Sequence, residues 1–146
     1  MYDALSSGDE RQALREMALR WVHAGWQVPD LSAFEELHDP EFLDHSPSGR
    51  APTLEGFGQG ILELYRAFPD FLATVEDLVV EPQVGKVSVR WAATGTHRGV
   101  FLGVAPTKRQ IRFEGIEIVR VKCGRIIERW GEWNGIEVLQ QLQQVS

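Results

Sequence analysis

The first half of the chain places apolar residues at the 3.6-residue spacing of amphipathic helices. Residues 9–26 carry one apolar stripe and predict a long first helix. Asp30 can cap a short second helix. The segment 39–47 is expected to turn and then extend, and 46–53 is expected to form a loop because it holds two prolines and a glycine. Thr53 is the predicted cap of a third helix.

From Phe71 onward the apolar positions alternate, which is the pattern of half-buried strands. Four strands are predicted, at about 71–80, 86–98, 109–121 and 125–133. Asn134 is the predicted cap of a short C-terminal helix. This order of elements predicts one α+β domain over residues 1–146. In that domain a curved antiparallel sheet of four or more strands wraps around the N-terminal helices and leaves a cone-shaped interior with a central pocket.

Composition excludes several classes of protein. Of the 146 residues, 43% are hydrophobic and 25% charged, as in a soluble globular domain. The net charge of -6 argues against a nucleic-acid partner. No apolar run approaches the roughly 18 residues that a membrane span needs, and residues 1–10 lack the basic start and apolar core of a secretion signal, so a cytoplasmic location is expected. No metal site and no cofactor are expected, because no phosphate-binding loop, nucleophile elbow or metal-ligand spacing occurs.

The aromatic content is high for so small a chain. Five tryptophans accompany seven phenylalanines and two tyrosines. Aromatic side chains bury large areas, so this number indicates either an aromatic core or an aromatic-lined pocket. Trp91 shares a strand face with a histidine, and Trp130 shares one with two glutamates. A dry core would avoid such neighbours, which favours a pocket for a hydrophobic small molecule.

His97 ends an apolar strand face that also carries Val87, Val89 and Trp91. It is either a satisfied core histidine or a pocket residue that moves a proton near neutral pH. His45 follows Asp44 at the start of a loop, where it either closes one end of a pocket or lies in a surface turn.

Glu128, Trp130 and Glu132 share one face of the last strand, while Arg129 lies on the other. The two carboxylates would be roughly 7 Å apart. In a closed cavity their pKa values would rise toward those of general acids and bases, but they could equally pair with nearby arginines. On the preceding strand Glu114 and Glu117 lie on opposite faces, and the alternation does not say which faces inward.

Five short segments resemble the SnoaL-like polyketide cyclase (ester cyclase) family in their order and spacing. They are 42–47 (FLDHSP), 67–70 (AFPD), 95–107 (GTHRGVFLGVAPT), 124–133 (GRIIERWGEW) and 139–142 (LQQL). The resemblance covers about residues 10–143. It implies a fold like that of nuclear transport factor 2 and a cofactor-free intramolecular aldol closure of an aromatic polyketide ester, with an aspartate as general acid and base. Asn134 stands where many relatives carry an aspartate, and an amide cannot take up a proton at neutral pH.

Two functions follow as hypotheses. In the first, the protein is a cyclase or a related isomerase or hydrolase in which His97, Glu128 and Glu132 exchange protons. The expected substrate-binding residues are Trp21, His45, Trp91, Phe101, Glu114, Trp130 and Asn134. In the second, the same cavity binds a small molecule without catalysis. A third hypothesis is an association module, since the resemblance implies a cone of a kind that often dimerises through its sheet. A homo-oligomer, either a dimer or a tetramer, is therefore expected, and the contact would be an exposed sheet face bearing Arg112, Arg120 and Arg129.

Overall fold

The computed structural model describes residues 7–144, so the residues on which the absence of a secretion signal rests lie largely outside the described part. Its elements follow the predicted order, with one additional strand. In chain order they are α1 (Ser7–Trp26), α2 (Leu31–Glu36), β1 (His38–Asp44), α3 (Leu54–Ala67), β2 (Leu72–Glu81), β3 (Lys86–Thr96), β4 (Gln110–Lys122), β5 (Arg125–Trp133) and α4 (Gly135–Gln143). The predicted α+β class is confirmed, and the four predicted strands agree with β2 to β5 to within two residues at each end.

The sheet has five strands in the order β1-β5-β4-β3-β2. Strands β2 to β5 are antiparallel neighbours, but β1 lies parallel to β5, so the sheet is mixed rather than wholly antiparallel. The segment 39–47 was predicted to turn and then extend, but it is extended from its start despite Pro40 and several charged residues. At a sheet edge these features are tolerated, since an edge strand leaves half of its backbone groups unpaired.

Three helix caps were predicted from single residues, and the structure confirms two of them. The Asp30 side chain accepts a hydrogen bond from the Ala33 amide at 3.1 Å, so Asp30 caps α2 as predicted. The Thr53 side chain accepts a hydrogen bond from the Gly56 amide at 3.2 Å, so Thr53 caps α3 as predicted. The Asn134 side chain makes no capping bond to α4. Its oxygen instead accepts a hydrogen bond from the Glu114 amide at 2.9 Å, which extends the pairing between β4 and the end of β5.

Helices α1 and α3 cover the concave face of the sheet. Trp21, Phe57 and Ile61 from these helices belong to the same buried core as Val89 and Val119 from the sheet. The convex face keeps exposed apolar and charged residues. No helix within residues 7–144 has the length and apolar character needed to span a bilayer. The arrangement places the inward positions of β3, β4 and β5 opposite the helices.

Candidate functional site

A cavity of about 280 Å³ lies between the helices and the concave face of the sheet. Aromatic rings from two helices, three strands and two loops contribute to its wall. They are Trp21, Trp26, Phe57, Phe71, Trp91, Phe101, Phe113 and Trp133. Leu102 and Trp133 are 47% and 38% exposed, so the wall reaches the surface near these residues. The aromatic-lined interior that the tryptophan count suggested is therefore present.

Three charged side chains form one cluster in this wall: Asp44 from β1, Glu117 from β4 and Arg129 from β5. The Arg129 Nη1 donates to both carboxylate oxygens of Asp44 at 3.0 Å. Its Nε and Nη2 donate to Oε1 of Glu117 at 3.0 and 2.8 Å. The guanidinium also stands over the Phe57 ring, with 4.5 Å between Cζ and the ring centroid. One cation thus holds two carboxylates that come from different strands.

The cluster is buried, which determines its electrostatics. Asp44 and Glu117 side chains are 2% and 9% exposed, and Arg129 is 12% exposed. Burial raises the pKa of the Glu117 carboxyl, and the neighbouring guanidinium of Arg129 opposes that rise. When both carboxylates are ionised, the cluster carries one negative charge in excess. A buried site of this charge is one where a proton can be taken up and released.

Gly131 provides the space in which the cluster forms. It pairs with Glu117 across β4 and β5. A Cβ atom at position 131 would lie 2.5 and 2.6 Å from the two Glu117 carboxylate oxygens and would also collide with the Arg129 guanidinium. Real Cβ atoms do not approach oxygen so closely. The missing side chain therefore fixes where this carboxylate and this guanidinium meet.

The two carboxylate oxygens of Glu117 differ in their hydrogen-bond partners. Oε2 is 3.4 Å from the indole Nε1 of Trp91, a long hydrogen bond, whereas Oε1 receives both bonds from Arg129. A carboxylate oxygen can accept two hydrogen bonds. Oε2 is thus the oxygen of the cluster best able to exchange a proton with a molecule in the cavity.

Of the residues predicted from the sequence to form the site, Trp21, Trp91 and Phe101 line the cavity. The other residues do not line it. They are His45, His97, Glu114, Glu128, Trp130, Glu132 and Asn134. The face of β5 that carries its glutamates turns away from the helices, and the face that carries Arg129 turns toward them.

Glu128 is a paired carboxylate on the convex side. It accepts from His45 Nε2 at 2.8 Å and from Arg120 Nε at 2.6 Å. The hydrogen bond from His45 has the largest effect and the one from Arg120 the next largest, and both lower the pKa of the Glu128 carboxyl. The His45 ring stacks on Trp130, with 4.6 Å between ring centroids. Of the alternatives left open for Glu128, ion pairing is the one that the structure contains.

His97 is fully buried but holds a loop rather than facing the cavity. Its Nδ1 accepts from the Thr107 amide at 3.0 Å, and its ring stacks on Phe68. Burial lowers its pKa, so the ring stays neutral at pH 7. These contacts connect the two ends of the 97–107 loop.

Glu132, Glu114 and Asn134 lie together in a shallow groove on the convex face, beside Arg90 and Ile116.

Arg129 was expected on the exposed sheet face with Arg112 and Arg120, and this was wrong: it lies inside with the cluster. No group of three or more histidine, cysteine, aspartate or glutamate side chains within residues 7–144 is arranged to hold a metal ion.

Asp44, Glu117 and Arg129 were not predicted from the sequence to be site residues. A signal for Glu117 was present. Glu117 was one of two alternatives on β4, and a glycine inside a strand, here Gly131, indicates the close approach of another group. Nothing in the periodicity identified Asp44, because its strand was not predicted.

The chain is similar to known proteins both in family and in structure. The family model for SnoaL-like polyketide cyclase matches residues 16–142. No curated protein matches this chain. IdmH from Streptomyces antibioticus, a proposed polyketide cyclase, is 30% identical with a TM-score of 0.78, over 90% of this chain and 99% of that one.

Two further structures have the same fold. AclR from Streptomyces galilaeus, a proposed hydroxylase, is 25% identical with a TM-score of 0.82, over 93% of this chain and 99% of that one. A proposed SnoaL-like polyketide cyclase from Jannaschia sp. CCS1 is 23% identical with a TM-score of 0.82, and the match covers all of both chains. With the family model matching nearly the whole described chain, the protein belongs to the SnoaL-like polyketide cyclase family.

Proposed function

We propose that this protein is an enzyme without a cofactor that performs acid–base chemistry, such as an intramolecular aldol closure, on a hydrophobic aromatic or polycyclic carbonyl compound. The observation that carries the proposal is the buried cluster of Asp44, Glu117 and Arg129 inside an aromatic cavity. Glu117 is the proposed general base and acid. It takes the role that the sequence analysis gave to His97, Glu128 and Glu132, which lie outside the cavity.

The proposed reaction needs one proton carrier. Ionised Glu117 removes a proton from the carbon next to a substrate carbonyl, and the resulting enolate attacks a second carbonyl carbon of the same molecule. A carbon–carbon bond forms, and the new alkoxide receives the proton that Glu117 had taken. The substrate and product are therefore isomers, and no oxidant or reductant is consumed.

The surroundings of Glu117 support both protonation states. Burial favours the neutral acid, while two hydrogen bonds from Arg129 favour the carboxylate. A balance of this kind brings a carboxyl group nearer to the range in which it can both accept and donate a proton. Asp44 keeps Arg129 in place through two hydrogen bonds and thereby positions Glu117.

The test uses 2-tetralone, a small aromatic ketone with acidic hydrogens next to its carbonyl. The wild-type protein in D₂O is expected to accelerate exchange of these hydrogens for deuterium, followed by NMR. Glu117→Gln should reduce the accelerated rate by roughly a hundredfold or more, because the amide cannot carry the proton. Glu132→Gln is the matched control, since Glu132 is exposed on the convex face and should leave the rate unchanged.

If Glu117→Gln exchanges as fast as the wild type, the assignment of Glu117 is wrong. If Glu132→Gln loses the accelerated exchange instead, the proton carrier is Glu132, as the sequence predicted.

A second candidate function is binding without catalysis, and one observation favours it. All three charged groups of the cluster satisfy one another through hydrogen bonds, which suits a fixed polar anchor as well as a proton carrier. This candidate predicts that ligand binds to wild type and to Glu117→Gln, and that neither protein exchanges the hydrogens of 2-tetralone.

A further inference from the structure

We infer that Arg50 forms an anion subsite at the cavity mouth and that the natural ligand carries an ionised carboxylate there, with its apolar body inside. The inference rests on the proposed use of the same cavity. It adds a chemical class to the ligand: an aromatic carbonyl compound with a free carboxylate that binds Arg50.

Arg50 belongs to the cavity wall and is also partly in solvent. It lines the cavity, and its side chain is 34% exposed. A tight turn aims it there: the Arg50 amide donates to the Pro47 carbonyl at 3.0 Å, and Ser48 and Gly49 between them have φ values of 52° and 84°. Positive φ at both central positions defines a type I′ turn. The turn fixes the point from which the side chain crosses to α3.

The guanidinium lies against α3 over Gly60. A Cβ atom at position 60 would be 3.0 Å from Arg50 Cζ and 3.1 Å from Nη1. Gly60 also lines the cavity, so its missing side chain lets the guanidinium lie at the rim rather than point into solvent. This placement is specific, because an ordinary helix residue at position 60 would crowd the guanidinium.

The guanidinium keeps hydrogen-bonding capacity for a ligand. Nε and Nη2 donate to a single oxygen of Glu63, Oε2, at 3.2 and 2.9 Å, and Nη1 makes a 3.4 Å contact with the Pro47 carbonyl. These contacts account for three of the five N–H donors of an arginine. Glu63 is 52% exposed, so its hold on Arg50 is a surface ion pair of small strength. A ligand carboxylate can use the remaining donors or displace Glu63.

Charge is distributed unevenly along the cavity. The cluster of Asp44, Glu117 and Arg129 has one negative charge in excess when both carboxylates are ionised, whereas the Arg50 cation is balanced by one exposed carboxylate, Glu63. An anionic group would be repelled by the cluster and attracted by Arg50. A ligand carboxylate therefore selects the mouth, where it also keeps part of its hydration, and the neutral carbonyl end reaches Glu117.

The experiment compares 2-naphthoate with its methyl ester, which differ in charge but share the aromatic body. Binding is measured by titration calorimetry at pH 7. Wild type should bind the acid roughly tenfold more tightly than the ester, the difference expected for a charge-assisted hydrogen bond. Arg50→Gln should abolish this preference and leave the affinity for the ester unchanged.

Glu63→Gln separates a ligand site from a structural ion pair. If Arg50 serves the ligand, loss of its competitor should raise the affinity for the acid by roughly two- to fivefold. If the pair merely holds the loop in place, Glu63→Gln and Arg50→Gln should weaken binding alike, which overturns the inference. Arg66→Gln is the control, because Arg66 is an exposed arginine of α3 outside the cavity lining and should behave as wild type.

The outcomes also distinguish this inference from the proposed function. Exchange of 2-tetralone hydrogens that depends on Glu117, without any preference for the acid over the ester, overturns the carboxylate subsite alone. A preference that depends on Arg50, without exchange, overturns the proposed catalysis and leaves the subsite standing. If the protein neither exchanges the hydrogens of 2-tetralone nor binds 2-naphthoate, the proposed catalysis and the carboxylate subsite are both overturned.

Discussion

His38 is a buried histidine whose protonation should destabilise the folded protein in mild acid. Only 2% of the residue is exposed. Its Nδ1 lies 2.7 Å from the Phe34 carbonyl, and its Nε2 accepts from Trp21 Nε1 at 3.1 Å. The carbonyl requires a proton on Nδ1 and the indole requires a lone pair on Nε2, so the contacts fit the neutral ring. Burial lowers the pKa of His38 from 6.5 to about 4.

The size of the effect follows from this shift. Between about pH 6.5 and pH 4 the unfolded chain binds a proton at His38 that the folded chain does not, so the free energy of unfolding falls as the pH falls. Each pH unit well inside this window costs about 1.4 kcal/mol. From pH 7 to pH 5 the loss from His38 is therefore about 2 kcal/mol. Below pH 4 this residue adds no further loss.

Urea unfolding followed by tryptophan fluorescence at pH 7, 6 and 5 measures the effect. Other groups titrate in this range, so the quantity of interest is the difference between wild type and His38→Gln, which lacks the titrating ring. The variant should be less stable at pH 7 but should lose about 2 kcal/mol less than wild type on going to pH 5. His23→Gln, at an exposed histidine of α1, should keep the wild-type dependence. Parallel curves for wild type and His38→Gln would refute the reasoning.

Two further predictions concern the charged cluster, and both use the same urea assay. Gly131→Ala should lower the free energy of unfolding by about 1–3 kcal/mol because the added carbon displaces Glu117 and Arg129. Gly58→Ala, where the added carbon meets open space, should cause no such loss, and equal effects of the two variants would contradict this account. Arg129→Met leaves Asp44 and Glu117 buried without their cation and should cost about 3–5 kcal/mol at pH 7. Part of that loss should return as the pH is lowered, because a protonated Glu117 carboxyl no longer needs the cation. A loss below about 1 kcal/mol at pH 7 would contradict the role of Arg129.

Periodicity was sufficient for the elements but not for the orientation of the sheet. The 3.6-residue and two-residue patterns located α1, α3 and strands β2 to β5. Strand β5 has a tryptophan and charged residues on both faces: Trp130 with Glu128, and Trp133 with Arg129. Its inward face could not be chosen from the sequence, since packing against α1 and α3 decides it. The predicted catalytic glutamates therefore came from the face that turned out to be convex.

Strand β1 was not among the predicted strands, and this explains why the charged cluster was not predicted either. Strand β1 contains Pro40 and acidic residues, and only Phe42 and Asp44 in its second half turn inward. An edge strand this polar has no clear alternation. Without it, Asp44 could not be placed beside Arg129, and the cluster that contains them could not be predicted. Its members meet only through pairing between strands that are far apart in the sequence.

The hydrogen bonds between Arg129 and Asp44 join residues 85 positions apart in the chain. At a synthesis rate of 5–20 residues per second, β5 leaves the ribosome about 4–17 s after β1. During that interval β1 has no strand beside which to lie, because its partner in the sheet has not been made. The proposed active site is thus among the last parts of the molecule to assemble on a nascent chain. Release of a chain shortened before residue 125 leaves the early helices without the strand that completes their site.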